Sequence, residues 1–304
     1  MGNEKRLVRF DWAIKYLLRN KAHFVILEGF LSELLKEDVE IEQILESEGT
    51  KYRDDDKTMR VDVLAELGKG EKVIIEVQCV RQWDYLSRML YGVSKVVVDH
   101  LKQGETYGKI PRVISVNIVY FDVGKGDDYI YRGRTEFRGV HKGDRLELGE
   151  KEKRMYPETI GEVSEVYPEY YVIKVNQFSN RVVDKFDEWM TFLKDEAIKP
   201  TYEAKGLKEA SATLNMLKLS EKQRQEYDRY IEGLRDERSL IETHYSDGER
   251  AGIEKGERIG IEKGERIGIE KEKRETARKL KGIGLETVQI SEITGMTASQ
   301  IEAL

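Results

Sequence analysis

The stretch Lys72-Val-Ile-Ile-Glu-Val-Gln-Cys-Val80 sets two polar side chains among β-branched residues, and chemistry is first sought there. Side chains alternate faces along a strand, so Glu76 and Gln78 point the same way, together with Ile74 and Val80. Val73, Ile75, Val77 and Cys79 supply the opposite, apolar face. A second strand-like stretch, residues 60–67, carries Asp62 among Val61, Val63 and Ala65. The turn Gly68-Lys-Gly-Glu71 joins the two as an antiparallel hairpin, which brings Asp62 and Glu76 to one edge of a sheet. Two carboxylates and a backbone carbonyl, that of Val77, form an oxygen-rich site for Mg2+. Magnesium keeps several waters, one of which can attack phosphorus while the metal stabilises charge on the phosphoryl oxygens. On the hairpin alone the residue types fit a plainer reading as well: a hydrogen-bonded carboxylate–amide pair, or a solvated sheet face.

The hairpin must be positioned by what surrounds it. Residues 7–46 read as helical, with Leu7, Phe10, Ile14, Leu17 and Leu18 at helical spacing, then Phe24, Leu27, Phe30, Leu31, Leu34 and Leu35. After the hairpin come a helix over about 83–103, ended by Gly104, and an apolar strand over 113–121 buried on both faces. This order predicts an α/β sandwich. Residues 122–200 add strands at 129–132 and 170–175 and a helix at about 184–193, with Phe186, Trp189, Met190 and Leu193 on one side. They read as an elaboration packed on the same sheet, so one domain is expected over 1–200, with its core at about 7–121.

From about residue 204 the chain is nearly all helix-forming, and Ser220-Glu-Lys-Gln223 is a capping box for a long helix. Within it lies a repeat of the form Gly-Glu-Arg-Ile-Gly-Ile-Glu-Lys, with Gly248, Gly252, Gly256, Gly260, Gly264 and Gly268 at a strict spacing of four. Each glycine costs about 0.8–1 kcal/mol relative to alanine in a helix. The pairs Glu254–Arg258 and Glu262–Arg266 return only ~0.2–0.5 kcal/mol each. Two readings stay open for this arm, residues 204–274: self-association through the glycine ridge, giving a homo-oligomer, or a flexible charged tether. An eight-residue period matches neither common coiled-coil repeat. Residues 275–304 read as three short helices, at 277–280, 286–293 and 297–304, in a helix-turn-helix-like module. Its would-be recognition helix holds no Lys or Arg to meet phosphate or guanine, so docking to protein is as open as reading DNA.

Bulk properties set bounds. The chain has 304 residues, 39% hydrophobic and 36% charged, which suits a globular domain with a long solvated appendage. No apolar run approaches the ~20 residues of a membrane span, and residues 1–6 lead into an amphipathic segment rather than a signal peptide. The single cysteine, Cys79, excludes an intrachain disulfide and fits a reducing cytoplasm. A net charge of −6 leaves DNA binding undecided, since a local basic groove suffices. His23, His100, His141 and His244 are scattered and give no zinc-ligand spacing. The glycines at 104–108 and 124–126 lack the Gly-Lys-Ser/Thr ending of a phosphate loop.

The ordered set Asp62…Glu76-Val77-Gln78 on a hairpin between helices resembles the D…(D/E)-x-K signature of the PD-(D/E)XK nucleases. The resemblance is to the Rpn-like branch, the recombination-promoting nucleases and PD-(D/E)XK family transposases. Arg9-Phe-Asp-Trp-Ala-Ile-Lys15, Leu27-Glu-Gly-Phe-Leu31, Tyr85-Leu-Ser-Arg-Met-Leu-Tyr-Gly92 and the Gly/Glu/Lys tail with its Thr294-Gly295 module match the same branch. The resemblance implies a bacterial restriction-endonuclease-like α/β core: a central mixed sheet flanked by helices, followed by a helical arm. It also implies Mg2+ dependence, with Mn2+ as a substitute, and hydrolysis of DNA phosphodiesters in recombination, mobile-element processing or defence. Asp62, Glu76 and the Val77 carbonyl would hold the metal. Gln78 replaces the usual lysine, as is familiar in this branch, and can orient water but brings no charge.

A cation is then to be sought elsewhere, and Arg88 and Lys95, seven apart on the following helix, are candidates beside the plain alternative of exposed basic residues. Glu28 sits where the superfamily often adds an acid, or is an ordinary solvated glutamate. Asp11 and Lys15, one turn apart, can form an ion pair. The rival reading is a non-catalytic DNA-associated or scaffolding protein that assembles through its tail around a relict site. The acidic balance and the missing lysine favour it, and the intact Asp62/Glu76 pair opposes it.

Overall fold

Alternating apolar residues and a tight glycine turn build the centre of the molecule first. The computed structural model describes residues 7–16, 23–45, 62–101, 104–215 and 219–304. Leu17, Leu18 and Val61, and the side chains of Ile14 and Lys15, lie outside the described residues. Helices α1 (Phe10–Tyr16) and α2 (Phe24–Leu35) lead into strand β1 (Ile41–Leu45) and then the hairpin of β2 (Val63–Leu67) and β3 (Lys72–Gln78). Helix α3 (Tyr85–Asp99) crosses over to β4 (Val113–Val119), followed by β5 (Ile130–Gly133). Two single-turn helices, α4 (Glu150–Lys153) and α5 (Val163–Val166), precede β6 (Glu169–Lys174) and α6 (Lys185–Asp195). Then come α7 (Leu207–Thr213), the long α8 (Glu221–Gly282), α9 (Thr287–Thr294) and α10 (Ala298–Glu302).

The six strands form one mixed sheet in the order β1-β2-β3-β4-β6-β5. The β2–β3 hairpin is antiparallel as expected, whereas β3, β4 and β6 run parallel. Parallel neighbours need a crossover, and α3 provides it between β3 and β4. All seven residues of β4 are buried, which fits helices on both faces. On one face, Tyr85, Met89, Val93 and Val96 of α3 cover Ile74, Val113 and Val119. On the other, Val73, Ile75, Val77, Ile114, Val116 and Ile118 meet α1, α2, α6 and α7. There Phe10 packs against Phe30, Trp189 and Phe192 with ring centroids 5.3–5.9 Å apart.

Three expectations are corrected. Residues 41–45 are an edge strand rather than the end of a helical run. β1 buries only Ile41 fully and carries a bulge between Ile41 and Gln43, so its polar outer positions hide the alternation. The helix after the hairpin stops at Asp99, well before Gly104, where the backbone N–H of His100 bonds the Val96 carbonyl. Residues 277–280 are not a separate helix: α8 runs unbroken through the glycine repeat to Gly282. The repeat holds no proline, and glycine weakens a helix without blocking its hydrogen bonds. The Ser220–Gln223 capping box forms, with the Ser220 N–H donating to Gln223 Oε1 at 2.9 Å.

The chain divides into two compact units, residues 1–235 and 236–304. In the second, Ala277, Ile290, Met296 and Ile301 form a small core. Thr297 caps α10 by accepting from the Gln300 N–H.

In the first unit, Gly29 lets α2 approach the segment entering α7. A Cβ there would lie 2.2 Å from the Lys205 carbonyl oxygen, a backbone atom that cannot step aside. Gly29→Ala is expected to destabilise the first unit by about 1–3 kcal/mol, the usual cost of overpacking a tight contact. Urea denaturation checks it, and an unchanged midpoint would refute the close-approach account.

Candidate active site

The β2–β3 register pairs Val63 with Ile75, so one further step sets Asp62 opposite Glu76. The structure ties the two strands there: the Val77 N–H donates to Asp62 Oδ2 at 2.8 Å. A strand residue's N–H and C=O leave on the same side of the chain, so the Val77 carbonyl also faces the Asp62 side. Glu76 is 5% exposed, and Arg88 Nε lies 3.2 Å from its Oε2. Gln78, half-buried, shares the Glu76 face and turns its amide to donate to the Val80 carbonyl at 3.3 Å. The structure thus gathers Asp62, Glu76, Val77, Gln78 and Arg88 at one end of the hairpin.

Lys95 and Glu28 are not brought there. Lys95 Nζ pairs with Asp99 Oδ1 at 3.6 Å, and its neighbour Val96 packs over Ile74 and Val113, toward the start of the strands. Seven residues of helix separate it from Arg88 by about 10 Å. Glu28 Oε1 accepts the Ile41 N–H at 2.9 Å, and Ile41 pairs with Leu67, at the far end of β2 from Asp62. It anchors the start of β1.

Two residues join the site that sequence reasoning missed. Asn117 lies beside Glu76 in the parallel β3–β4 register, and the Tyr85 hydroxyl donates to Asn117 Oδ1 at 3.3 Å. Burial, and then the charge on Glu76, push the Tyr85 phenol well above the usual tyrosine range, so it remains a neutral hydroxyl. An asparagine inside Val113-Ile-Ser-Val-Asn-Ile-Val119 was the available signal: a lone amide in a doubly buried strand needs polar partners. Asn117 finds them in Ser115 Oγ at 2.9 Å and the Tyr171 carbonyl at 3.2 Å.

Directly behind the site, on the opposite face of β3, lies a second buried carboxylate. Asp11 pairs with Arg9 at 3.1 Å, and Cys79 Sγ–H and the Tyr230 hydroxyl donate to its Oδ2 at 2.8 and 2.9 Å. Arg9 also stacks over the Tyr120 ring at 5.0 Å. Burial alone would raise the Asp11 pKa, but Arg9, Cys79 and Tyr230 together outweigh it and hold the carboxyl below its ordinary 3.8. The cluster joins α1, the residue after Gln78 and the first turns of α8.

The donor set fits a divalent cation of the hard kind. Among the described residues no group of three or more His, Cys, Asp or Glu is placed to hold a metal. Two carboxylates and a carbonyl suffice for Mg2+, which keeps several of its waters. Asp62, Glu76 and Val77 would hold it, and when bound it would supply an activated water and a charge-stabilising Lewis acid. From this chain, Arg88 lies against the buried Glu76 carboxylate, and the Gln78 amide would orient a water. A surface cavity of ≈ 250 Å³ lined by Arg134, Phe137, Arg145, Lys153 and Glu162 includes none of these residues.

Comparison with known families agrees with the motif reading. Residues 8–147 match the family model described as PD-(D/E)XK nuclease family transposase. No curated protein and no solved structure matches the chain. The mixed six-stranded sheet with flanking helices and a long C-terminal helix is consistent with the α/β fold expected of that family.

The lowered Asp11 pKa makes the stability of the first unit depend on pH in one direction. A carboxyl whose folded pKa is depressed contributes stability above its unfolded value, and that contribution is lost as pH falls through the folded pKa. Asp11→Asn is therefore expected to cost about 1.5–3 kcal/mol or more at pH 7, the worth of charge-assisted hydrogen bonds. The gap between variant and wild type should shrink as the pH drops below the ordinary 3.8. Urea melts at pH 7 and in acid measure both; a gap independent of pH would contradict the assignment.

Proposed function

We propose, taking the family match of residues 8–147 as premise, that this protein is a Mg2+-dependent DNA endonuclease, with Mn2+ able to substitute. In this reading Asp62, Glu76 and the Val77 carbonyl bind the metal, Gln78 orients the attacking water, and Arg88 supplies the cation that lysine supplies elsewhere in the superfamily. The observation that carries it is the buried Glu76 carboxylate, set in register with Asp62 and held by Arg88. Burying a carboxylate costs free energy that a merely structural sheet position would avoid with an apolar residue. The substrate is DNA with little base specificity, cut in recombination, mobile-element processing or defence against foreign DNA.

The reading extends to self-association through α8. The glycine repeat leaves Ile253, Ile261, Ile267 and Ile269 more than half exposed. Among the described residues, nothing beyond the adjoining backbone of the helix itself comes within 4 Å of where a Cβ would stand on any glycine from Gly248 to Gly268. A second copy of the helix can approach such a ridge closely. No described helix is long and apolar enough to cross a membrane.

Purified protein with supercoiled plasmid and Mg2+ or Mn2+ is expected to nick, and EDTA to abolish nicking. Asp62→Ala and Glu76→Ala should each reduce the rate by about 100-fold or more, the scale of losing one preorganised charge-stabilising group. Cleavage that survives in both variants would place the site elsewhere, and no cleavage with either metal would favour the scaffold reading. For the arm, light scattering should give a mass above one chain. The double variant Gly256→Leu, Gly260→Leu should lower it by blocking close approach, and a monomeric wild type would end that part of the proposal.

A further inference from the structure

The connection from β3 to α3 leaves the site with an exposed aromatic ring. The Gln78 amide donates to the Val80 carbonyl, and Val80 itself is buried, so the chain is fixed as it passes the site. The next residues swing outward. Trp83 is 77% exposed, the largest apolar side chain in the connection, and the Arg81 guanidinium lies over its ring at 4.1 Å. Trp83 directly precedes Asp84, whose carbonyl accepts the Arg88 N–H at 3.1 Å. It therefore lies five residues before the arginine that touches Glu76, a rise of about 7–8 Å at helical spacing. Leu86 and Leu90, 58% and 61% exposed, continue the apolar strip along α3 at helical spacing.

An exposed indole with a cation on its face suits one kind of occupant better than a purely apolar one. A nucleotide presents a flat π-face joined to a phosphate, and aromatic rings stack on any base without regard to sequence, while an arginine adds charge and cation–π attraction. A base inside an intact duplex has its faces covered by its neighbours and cannot stack on a side chain. We infer that Trp83 and Arg81 form a stacking platform for an unpaired base next to the scissile position, so that the protein favours single-stranded or frayed DNA over intact duplex. The inference rests on the nuclease reading for its substrate, but its test does not depend on cleavage.

The chain supplies its own reporter. Of its three tryptophans, Trp12 and Trp189 are 4% and 0% exposed, so emission that responds to DNA comes from Trp83. Titrating the full-length protein in EDTA with an oligo-dT strand is expected to quench tryptophan emission to saturation, and a blunt duplex of equal length, at the same salt, to quench it far less. By anisotropy of a labelled strand, Trp83→Ala should weaken binding about tenfold or more, whereas Trp83→Phe, which keeps a π-face, should stay within about threefold. Arg81→Ala should weaken binding as well, and thermal melts confirm that these surface variants are folded. Equal quenching by duplex and single strand, or a Trp83→Ala variant that binds like the wild type, overturns the inference. So does emission that shifts with protein concentration alone, which would give the strip to a second copy of the chain. A protein that fails to cut plasmid yet shows the quenching defeats only the catalytic reading, and one that cuts while Trp83 stays silent defeats only the platform.

Discussion

A carboxylate placed inside a sheet covered on both faces loses its hydration, and the loss must be offset locally or the group will not remain charged. Glu76 is in that position, and much of the surrounding architecture answers to it. The compensating guanidinium belongs to Arg88, which reaches the carboxylate only because α3 returns across the sheet between two parallel strands. Tyr85, one turn earlier on the same helix, is buried at that end of the sheet and links it to Asn117 on the next strand. The crossover therefore does two things: it covers the apolar half of the face with Met89, Val93 and Val96, and it brings polar partners to the half where Glu76 stands.

The opposite face of β3 repeats the arrangement with different parts. Cys79, one residue past Gln78, donates to a second buried carboxylate, Asp11, which is neutralised by Arg9 and bonded by Tyr230 from α8. The end of the strand is thus gripped from both sides. Charge-assisted hydrogen bonds of this kind are directional as well as strong, so they fix the position of the backbone that carries Gln78 rather than merely its burial. Deeper in the same face the fixing is by shape, with Phe10, Phe30, Trp189 and Phe192 in mutual contact.

What the sequence made legible was whatever depends on near neighbours. Alternation in residues 72–80, the glycine turn before them and the unbroken apolar run of β4 identified the hairpin and the buried strand, because period-two burial is written directly in the residue order. The Ser220–Gln223 cap was legible for the same reason. What was hidden depends on contacts far apart along the chain. Asp11 reads as a partner of Lys15, one turn away, but its partners include Cys79 and Tyr230, and no local pattern announces a hydroxyl more than two hundred residues distant. Glu28 lies in a suggestive motif, yet whether its carboxylate faces Asp62 and Glu76 or the start of β1 is decided by how α2 docks. Edge strand β1 escaped because a strand with one side open to water needs few apolar residues, and Ile41-Glu-Gln-Ile-Leu45 counts as well for a helix as for a strand.

The closure of the first unit carries a consequence for how the protein is made. The Val8 N–H is bonded to the Leu214 carbonyl at 2.8 Å, Leu7 bridges to Asn215, and Gly29 rests on the backbone at Lys205. Each of these contacts joins the beginning of the chain to a segment synthesised long afterwards. At roughly 5–20 residues per second, about ten to forty seconds separate the emergence of Leu7 from that of Asn215. During that interval α1 and α2 can meet β3 and β4, but Phe10 and Phe30 still lack the cover that Trp189 and Phe192 later give them. The strand that bears Glu76 is therefore made early and part of its support late, and until Trp189 and Phe192 emerge the nascent chain exposes a hydrophobic surface that chaperones can bind.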